Sequence, residues 1–292
     1  MEITTRTAKT ILTPQKSGLL ASGPYPFTHS LSPYTGCGFG ATTCGLYCYA
    51  QFLPNWTHSH PGIAWGSAVQ VKENAAEVLA QTLAAMSTPQ RRSLRIFMAS
   101  TTDPYQPIEA THQVTRGCLE VFTQYDDLDL LVIQTRAPLA ARDFDLMRHI
   151  PYVWLSVSIE TDDAEVLRAL TGGPSPAKRF ALIEEAKQQG IKTQIAVSPC
   201  LPYTDHFADR LLALAPDRII VDNFTEGDGG RGYRTARSPY AAANLAWREQ
   251  EGLARQLSER LALARADVYW STSGFCSIPP RSGQATQSAM PL

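Results

Sequence analysis

Cys37, Cys44 and Cys48 are three of the chain's six cysteines, spaced C-x6-C-x3-C in one short stretch. Thiolates are soft ligands that select zinc, copper(I) or iron–sulfur clusters. A structural zinc site takes four ligands, commonly in two separated pairs, and no second pair exists here. His29 or a distant cysteine would have to complete one. Three thiolates on one loop suit a cubane cluster whose fourth iron is left open. An open iron binds substrate or cofactor, which points to catalysis rather than plain electron transfer. On the residues alone, zinc and unliganded thiols stay as the alternatives.

The stretch carrying these cysteines, LSPYTGCGFGATTCGLYCYAQ, is a loop by composition. The elements that must position it are read from hydrophobic periodicity. Residues 1–30 form an extended lead-in. Val71, Ala75, Val78, Leu79, Leu83 and Met86 fall on one helical face. Strands are expected over 94–99, 128–134, 153–159, 193–197, 218–221 and 268–271. Helices are expected over 108–122, 141–149, 164–170, 177–188, 207–214 and 241–264. This alternation specifies a parallel sheet with helices outside. The fold class is α/β, a partial (β/α)6-type barrel with the cysteine loop at the C-terminal face of the strands. No dinucleotide-binding G-x-G-x-x-G follows a strand, and no P-loop is present. The organisation expected is a lead-in at 1–30, a barrel core at 31–225, and a C-terminal loop, long helix and tail at 226–292.

Chemistry in such a barrel belongs at the C-terminal strand ends. Those ends read Ser100-Thr101-Thr102-Asp103, Gln134-Thr135-Arg136, Ser156-Val157-Ser158-Ile159-Glu160, Ser198-Pro199-Cys200 and Asp222-Asn223. Cys200 is a candidate hydrogen donor or redox thiol, with a plain buried thiol as the alternative. Asp103 and Glu109 are candidates for binding substrate or ordering their loop, and Pro104 after Asp103 favours a turn. Trp56, His58, His60 and Trp65 mark a loop that is either part of a lid or solvent-facing. Arg231, Tyr233, Arg234 and Arg237 lie in a flexible, partly basic loop, where Glu226 and Asp228 offset part of the charge.

The 292 residues are 44% hydrophobic and 18% charged, which excludes a wholly disordered or coiled-coil chain. A net charge of −1 provides no global field for nucleic acid. No apolar run reaches the roughly 20 residues of a membrane span. No secretory h-region is seen, so the expected compartment is the cytoplasm, where thiols stay reduced.

Ser32-Pro33-Tyr34-Thr35-Gly36-Cys37 and Cys44-Gly45-Leu46-Tyr47-Cys48-Tyr49-Ala50 resemble the N-P-Y-x-G-C-x3-C-x-Y-C-Y-A signature of the radical S-adenosylmethionine (SAM) enzymes related to spore photoproduct lyase. Val71-Lys72-Glu73-Asn74-Ala75 is similar to that family's V-K-x-N-A segment. Thr102-Asp103-Pro104-Tyr105-Gln106-Pro107-Ile108-Glu109 matches its T-D-P-Y-Q-P-x-E segment. The resemblance runs from about residue 31 to about residue 223. It implies a [4Fe-4S] cluster on Cys37, Cys44 and Cys48, with SAM chelating the fourth iron. Reductive cleavage would then give a 5′-deoxyadenosyl radical that abstracts hydrogen from a substrate. It also implies an electron donor such as flavodoxin or ferredoxin, and a small-molecule or nucleic-acid-derived substrate. Tyr47 takes the place of the family's aromatic near the adenine. Arg136, Ser156 and Ser158 are candidates for the ribose and methionine ends of SAM, and Ser100 and Thr102 join them as cofactor-binding candidates. Two departures stand out. The cysteine gaps exceed the family's C-x3-C-x2-C, so the loop must bulge, and Gly38, Gly40, Ala41 and Gly45 give it room. Ser100 stands where spore photoproduct lyase carries its hydrogen-donating cysteine, and a serine O–H is a poor donor of hydrogen atoms. The alternatives to a radical enzyme of other substrate are a DNA-lesion lyase and a non-enzymatic iron–sulfur or zinc-stabilised binding protein.

Overall fold

The computed structural model describes residues 1–41, 44–45, 47–169, 173–225, 227–228, 230–237 and 250–281. Eleven strands are described: β1 Glu2–Arg6, β2 Leu12–Pro14, β3 His29–Leu31, β4 Tyr34–Thr35, β5 Ala68–Lys72, β6 Arg95–Met98, β7 Leu130–Thr135, β8 Val153–Ser158, β9 Lys192–Val197, β10 Arg218–Val221 and β11 Val268–Trp270. The main sheet has the order β11-β10-β9-β8-β7-β6-β3-β2. Its neighbours run parallel except the β2–β3 pair. The sheet does not close, so the architecture is the expected partial barrel. A second sheet, β1-β5-β4, stands beside the cysteine loop.

β7 is buried along nearly its whole length because both of its faces are covered. Ile133, Leu155 and Ile195 face the helices in the main core, with Leu119, Phe122 and Ile183. Phe97, Leu130 and Val132 point the other way. They form an inner cluster with Phe27, Cys276 and Ile278, which plugs the barrel at the N-terminal ends of its strands. Two buried arginines hold the C-terminal segment against this plug. Arg95 pairs with Asp129 and donates to the Ile278 carbonyl at 2.5 Å. Arg218 donates to the Gly274 carbonyl at 2.8 Å and to Ser277 Oγ at 2.6 Å, under the Tyr269 ring.

Several elements depart from the sequence reading. The expected helix 108–122 divides at Gln113, which has a φ of 50°, into Glu109–His112 and Val114–Phe122. The buried Glu109 carboxylate takes the Thr115 and Arg116 N–H groups and so starts the second helix. The expected helix 141–149 is a 3₁₀ turn, Pro138–Asp143, followed by a short helix, Phe144–Met147. The lead-in holds two strands, β1 and β2, whose partners are β5 and β3. Of the expected helix 241–264, Gln250–Ala264 is described, and the rest lies outside the described residues. Among the described residues, no helix is long and apolar enough to cross a membrane.

Candidate functional site

The C-terminal ends of the strands open onto a cavity of about 430 Å³. Cys37, Cys44 and Cys48 line it together with Tyr47. Ser100, Thr102, Asp103, Arg136 and Ser158 line it from β6, β7 and β8. Ser156 and Cys200 do not. Ser156 accepts a hydrogen bond from Gln194 Nε2 at 2.8 Å, deeper in the barrel. Cys200 is fully buried in the main core, and burial pushes its thiol well up.

The longer cysteine spacing is accommodated by a compact fold-back. Residues Gly38–Ala41 form a 3₁₀ turn. The Gly40 carbonyl then lies so close to Gly45 that any Cβ there would overlap it. Gly36 has a φ of 82°, and a Cβ on it would meet the Trp56 ring at 2.8 Å. Trp56 is buried, stacks on His60 at 4.3 Å and meets Trp65 edge-on at 4.9 Å. The Trp56–Trp65 segment braces the cysteine loop through its tryptophans, while His58 and most of its other residues face solvent, as expected of a solvent loop. Its aromatic faces fill the space that the small residues leave.

The Thr102–Glu109 segment ties this loop to the barrel. Thr102 Oγ1 donates to the Gly36 carbonyl at 2.5 Å, and Gln106 Oε1 accepts from the Gly38 N–H at 2.6 Å. Both contacts flank Cys37. Asp103 accepts from Tyr105 N, Thr135 Oγ1 and Arg136 N at 2.7–2.9 Å, joining the ends of β6 and β7. Glu109 accepts from Tyr34 Oη and pairs with Arg142 at 2.7 Å. These hydrogen bonds and ion pairs give Asp103 and Glu109 a loop-ordering role, and Asp103 also lines the cavity, where a substrate would meet it.

Behind the loop lies a buried ion cluster that sequence reasoning missed. Glu160, at the end of β8, pairs with Arg136 at 2.7 Å and with the fully buried Arg179. Tyr47 Oη accepts from Arg136 at 3.1 Å and donates to Glu160 at 3.2 Å. Burial raises the Glu160 carboxyl, but Arg136 and Arg179 outweigh it and hold its pKa at about 2. Arg179 comes from the helix Pro176–Gln188, which Ser175 caps by accepting from Lys178 N. Residues 134, 156 and 194 stand side by side across β7, β8 and β9. Gln134 Nε2 donates to Ser158 Oγ at 2.8 Å, so the cavity wall above the apolar plug is polar.

On its other side the cavity is bounded by the loop after β10. Asp222 accepts from Phe224 N, Ser198 Oγ and Ser271 Oγ at 3.0–3.1 Å. Buried Asp228 accepts from the N–H groups of Gly230, Gly232 and Thr235 at 2.6–3.0 Å. The sequence reading treats Asp228 as an offset to the neighbouring arginines. Its carboxylate instead shapes the backbone, because three amides converge on it. Glu226 lies outside the described residues.

The donor set fits an iron–sulfur cluster. Three thiols face one cavity, no histidine lines it among the described residues, and His29 is engaged with Thr28 instead. Among the described residues, no three His, Cys, Asp or Glu side chains gather closely enough to hold one metal ion. A cubane spreads its thiolates over separate irons, whereas a zinc ion draws four ligands to about 2.0–2.3 Å. Burial, then Cys44 and Asp103, push the Cys37 thiol up to about 12. A hydrogen bond with Cys48 lowers Cys44 and raises Cys48. Cys37 and Cys48 are thus held as thiols unless a nearby cation offsets burial and the neighbouring sulfurs.

No family model matches the chain. Over 92% of its length it superposes on spore photoproduct lyase, with a TM-score of 0.59 at 15% identity and 81% of that chain covered. The chain has the spore photoproduct lyase fold. A structure of that lyase with bound AdoMet and dinucleoside spore photoproduct gives a TM-score of 0.58 at 16% identity, covering 92% of this chain and 80% of that one. In sequence, the chain is 27% identical over 173 residues to an uncharacterised protein of Methanocaldococcus jannaschii, covering 59% of this chain and 60% of that protein. It is 29% identical over 182 residues to an uncharacterised protein of Mycobacterium tuberculosis, covering 61% of this chain and 51% of that protein. It is 29% identical over 143 residues to the radical SAM Nα-GlyT isomerase of Pseudomonas phage M6, covering 47% of this chain and 29% of that protein. The matches thus span about half to three fifths of the first two relatives. The fold expected from the motif resemblance is the fold observed.

Proposed function

We propose that the protein is a radical SAM enzyme, with Cys37, Cys44 and Cys48 holding a [4Fe-4S] cluster. The observation that carries this reading is the convergence of the three thiols, Tyr47 and Arg136 on one cavity at the strand ends. When bound, the cluster and SAM would supply a 5′-deoxyadenosyl radical that takes hydrogen from a substrate. The chain's own residues provide the rest. Thr102 and Gln106 fix the backbone on either side of Cys37. Glu160 and Tyr47 orient Arg136, whose planar fork suits the SAM carboxylate. Ser100, Thr102 and Ser158 offer hydrogen-bonding groups to the cofactor from the same wall. Ser156 has its Oγ engaged by Gln194 and supports that wall from behind. The plugged barrel floor excludes bulk water from below.

The DNA-lesion lyase reading shares the fold but lacks a thiol at Ser100, and Cys200 lies outside the cavity. The binding-protein reading predicts zinc, or a cluster that ignores SAM. Anaerobic reconstitution with iron and sulfide, followed by metal and sulfide analysis and electron paramagnetic resonance of the reduced protein, tests the assignment. The expected result is a four-iron cluster whose spectrum changes when SAM is added. Bound zinc, or a cluster spectrum indifferent to SAM, would overturn it.

A further inference from the structure

The loop after β10 brings Arg234 to the cavity from the far side of the sheet order, away from β7 and Arg136. Its short helix, Tyr233–Ala236, packs on the Tyr49–Phe52 turn that follows Cys48. The cavity's other charged lining groups are engaged within the fold. Arg136 pairs with Glu160, Asp103 takes a hydroxyl and two amides, and Asp222 and Asp228 are satisfied as described above. Arg234 differs. Its Nη1 donates to the neutral Asp228 carbonyl at 2.8 Å, and no ion pair to it exists among the described residues. The lining on this side mixes apolar Leu53 and Phe224 with the engaged carboxylates of Asp222 and Asp228. With only Nη1 engaged, by a neutral carbonyl, the rest of this half-buried planar fork is positioned to hold an anion.

We propose that Arg234 recognises a carboxylate or phosphate group on a small substrate, held across the cavity from Arg136. The reaction of that substrate rests on the radical SAM reading, but its binding does not. The loop is built to present the arginine: Asp228 gathers three amides with its carboxylate and orients Arg234 with its carbonyl.

The test is calorimetric titration of the reconstituted, anaerobic full chain with inorganic phosphate and, separately, with acetate. Each titration is repeated with SAM present, and a double-stranded oligonucleotide forms a third arm. At least one anion should bind with a Kd of about 10 mM or tighter. Arg234→Gln should weaken that binding about tenfold or more, and Arg234→Lys should recover part of it. Exposed Arg231→Gln should leave it unchanged. The proposal is overturned by absence of anion binding, or by equal binding in Arg234→Gln. Displacement of the anion by SAM would also overturn it, since the arginine would then serve the cofactor. Arg234-dependent binding of the oligonucleotide in preference to both anions would make the partner nucleic acid instead. Anion binding by a protein that fails to cleave SAM would sink the radical reading and leave this site standing.

Discussion

Replacing Glu160 by glutamine removes the only carboxylate that the described structure places between Arg136 and Arg179. Glu160 is fully buried, so solvent screening gives little relief. Its pKa of about 2, against an ordinary 4.5, implies a gap worth ~3 kcal/mol at 1.36 kcal/mol per unit. Breaking a buried ion pair from one side independently costs about 3–5 kcal/mol. Both routes give about 3 kcal/mol or more. Because the folded pKa is depressed, this stability is fully present above pH 4.5 and is lost as pH falls through about 2. Urea unfolding of the metal-free protein and of Glu160→Gln, at about pH 7 and about pH 3, measures it. The variant should be less stable by ~3 kcal/mol at the higher pH, and that difference should fall to less than about half at the lower. A loss below about 1 kcal/mol at neutral pH, or a loss that does not change with pH, would refute the ion-cluster argument.

Gly45→Ala places a Cβ against the Gly40 carbonyl, so the loop must shift. Iron retained after reconstitution should fall by about half or more, and wild-type iron content would show the fold-back to be dispensable. Arg95→Ala removes the partner of Asp129 and the anchor of the Ile278 carbonyl, and should cost about 3–5 kcal/mol in urea unfolding. A cost near zero would mean that the C-terminal segment is held by the apolar plug alone. Cys200→Ala should leave SAM cleavage within about twofold, because its thiol is core packing outside the cavity. Abolished cleavage in a folded variant would give Cys200 a catalytic part.

The parallel barrel was legible because each βα unit repeats the same change of period, from apolar strand to amphipathic helix. The cysteine loop was legible from ligand chemistry, and the polar strand ends from their contrast with apolar interiors. β1 and β2 were not, since each is short and draws its order from a partner remote in sequence. Arg179 reads as a surface residue of a polar helix, and only the fold shows it turned inward to Glu160. The aromatic brace was hidden for a related reason. Trp56 and Trp65 lie in a Gly- and Pro-containing stretch with no period, and the burial of Trp56 and partial burial of Trp65 follow from the glycines they pack on. The one signal that pointed toward the ion cluster was Glu160 itself, a carboxylate closing an apolar strand.

Formation of 5′-deoxyadenosine tests the central claim most directly. The reconstituted protein is reduced anaerobically with SAM, and the product is quantified by chromatography beside Cys37→Ala, Cys44→Ala and Cys48→Ala. The account predicts product from the wild-type chain and none above background from any of the three variants. An intact four-iron cluster that leaves SAM uncleaved under a strong reductant would contradict it, as would cleavage that survives loss of any one of the three cysteines.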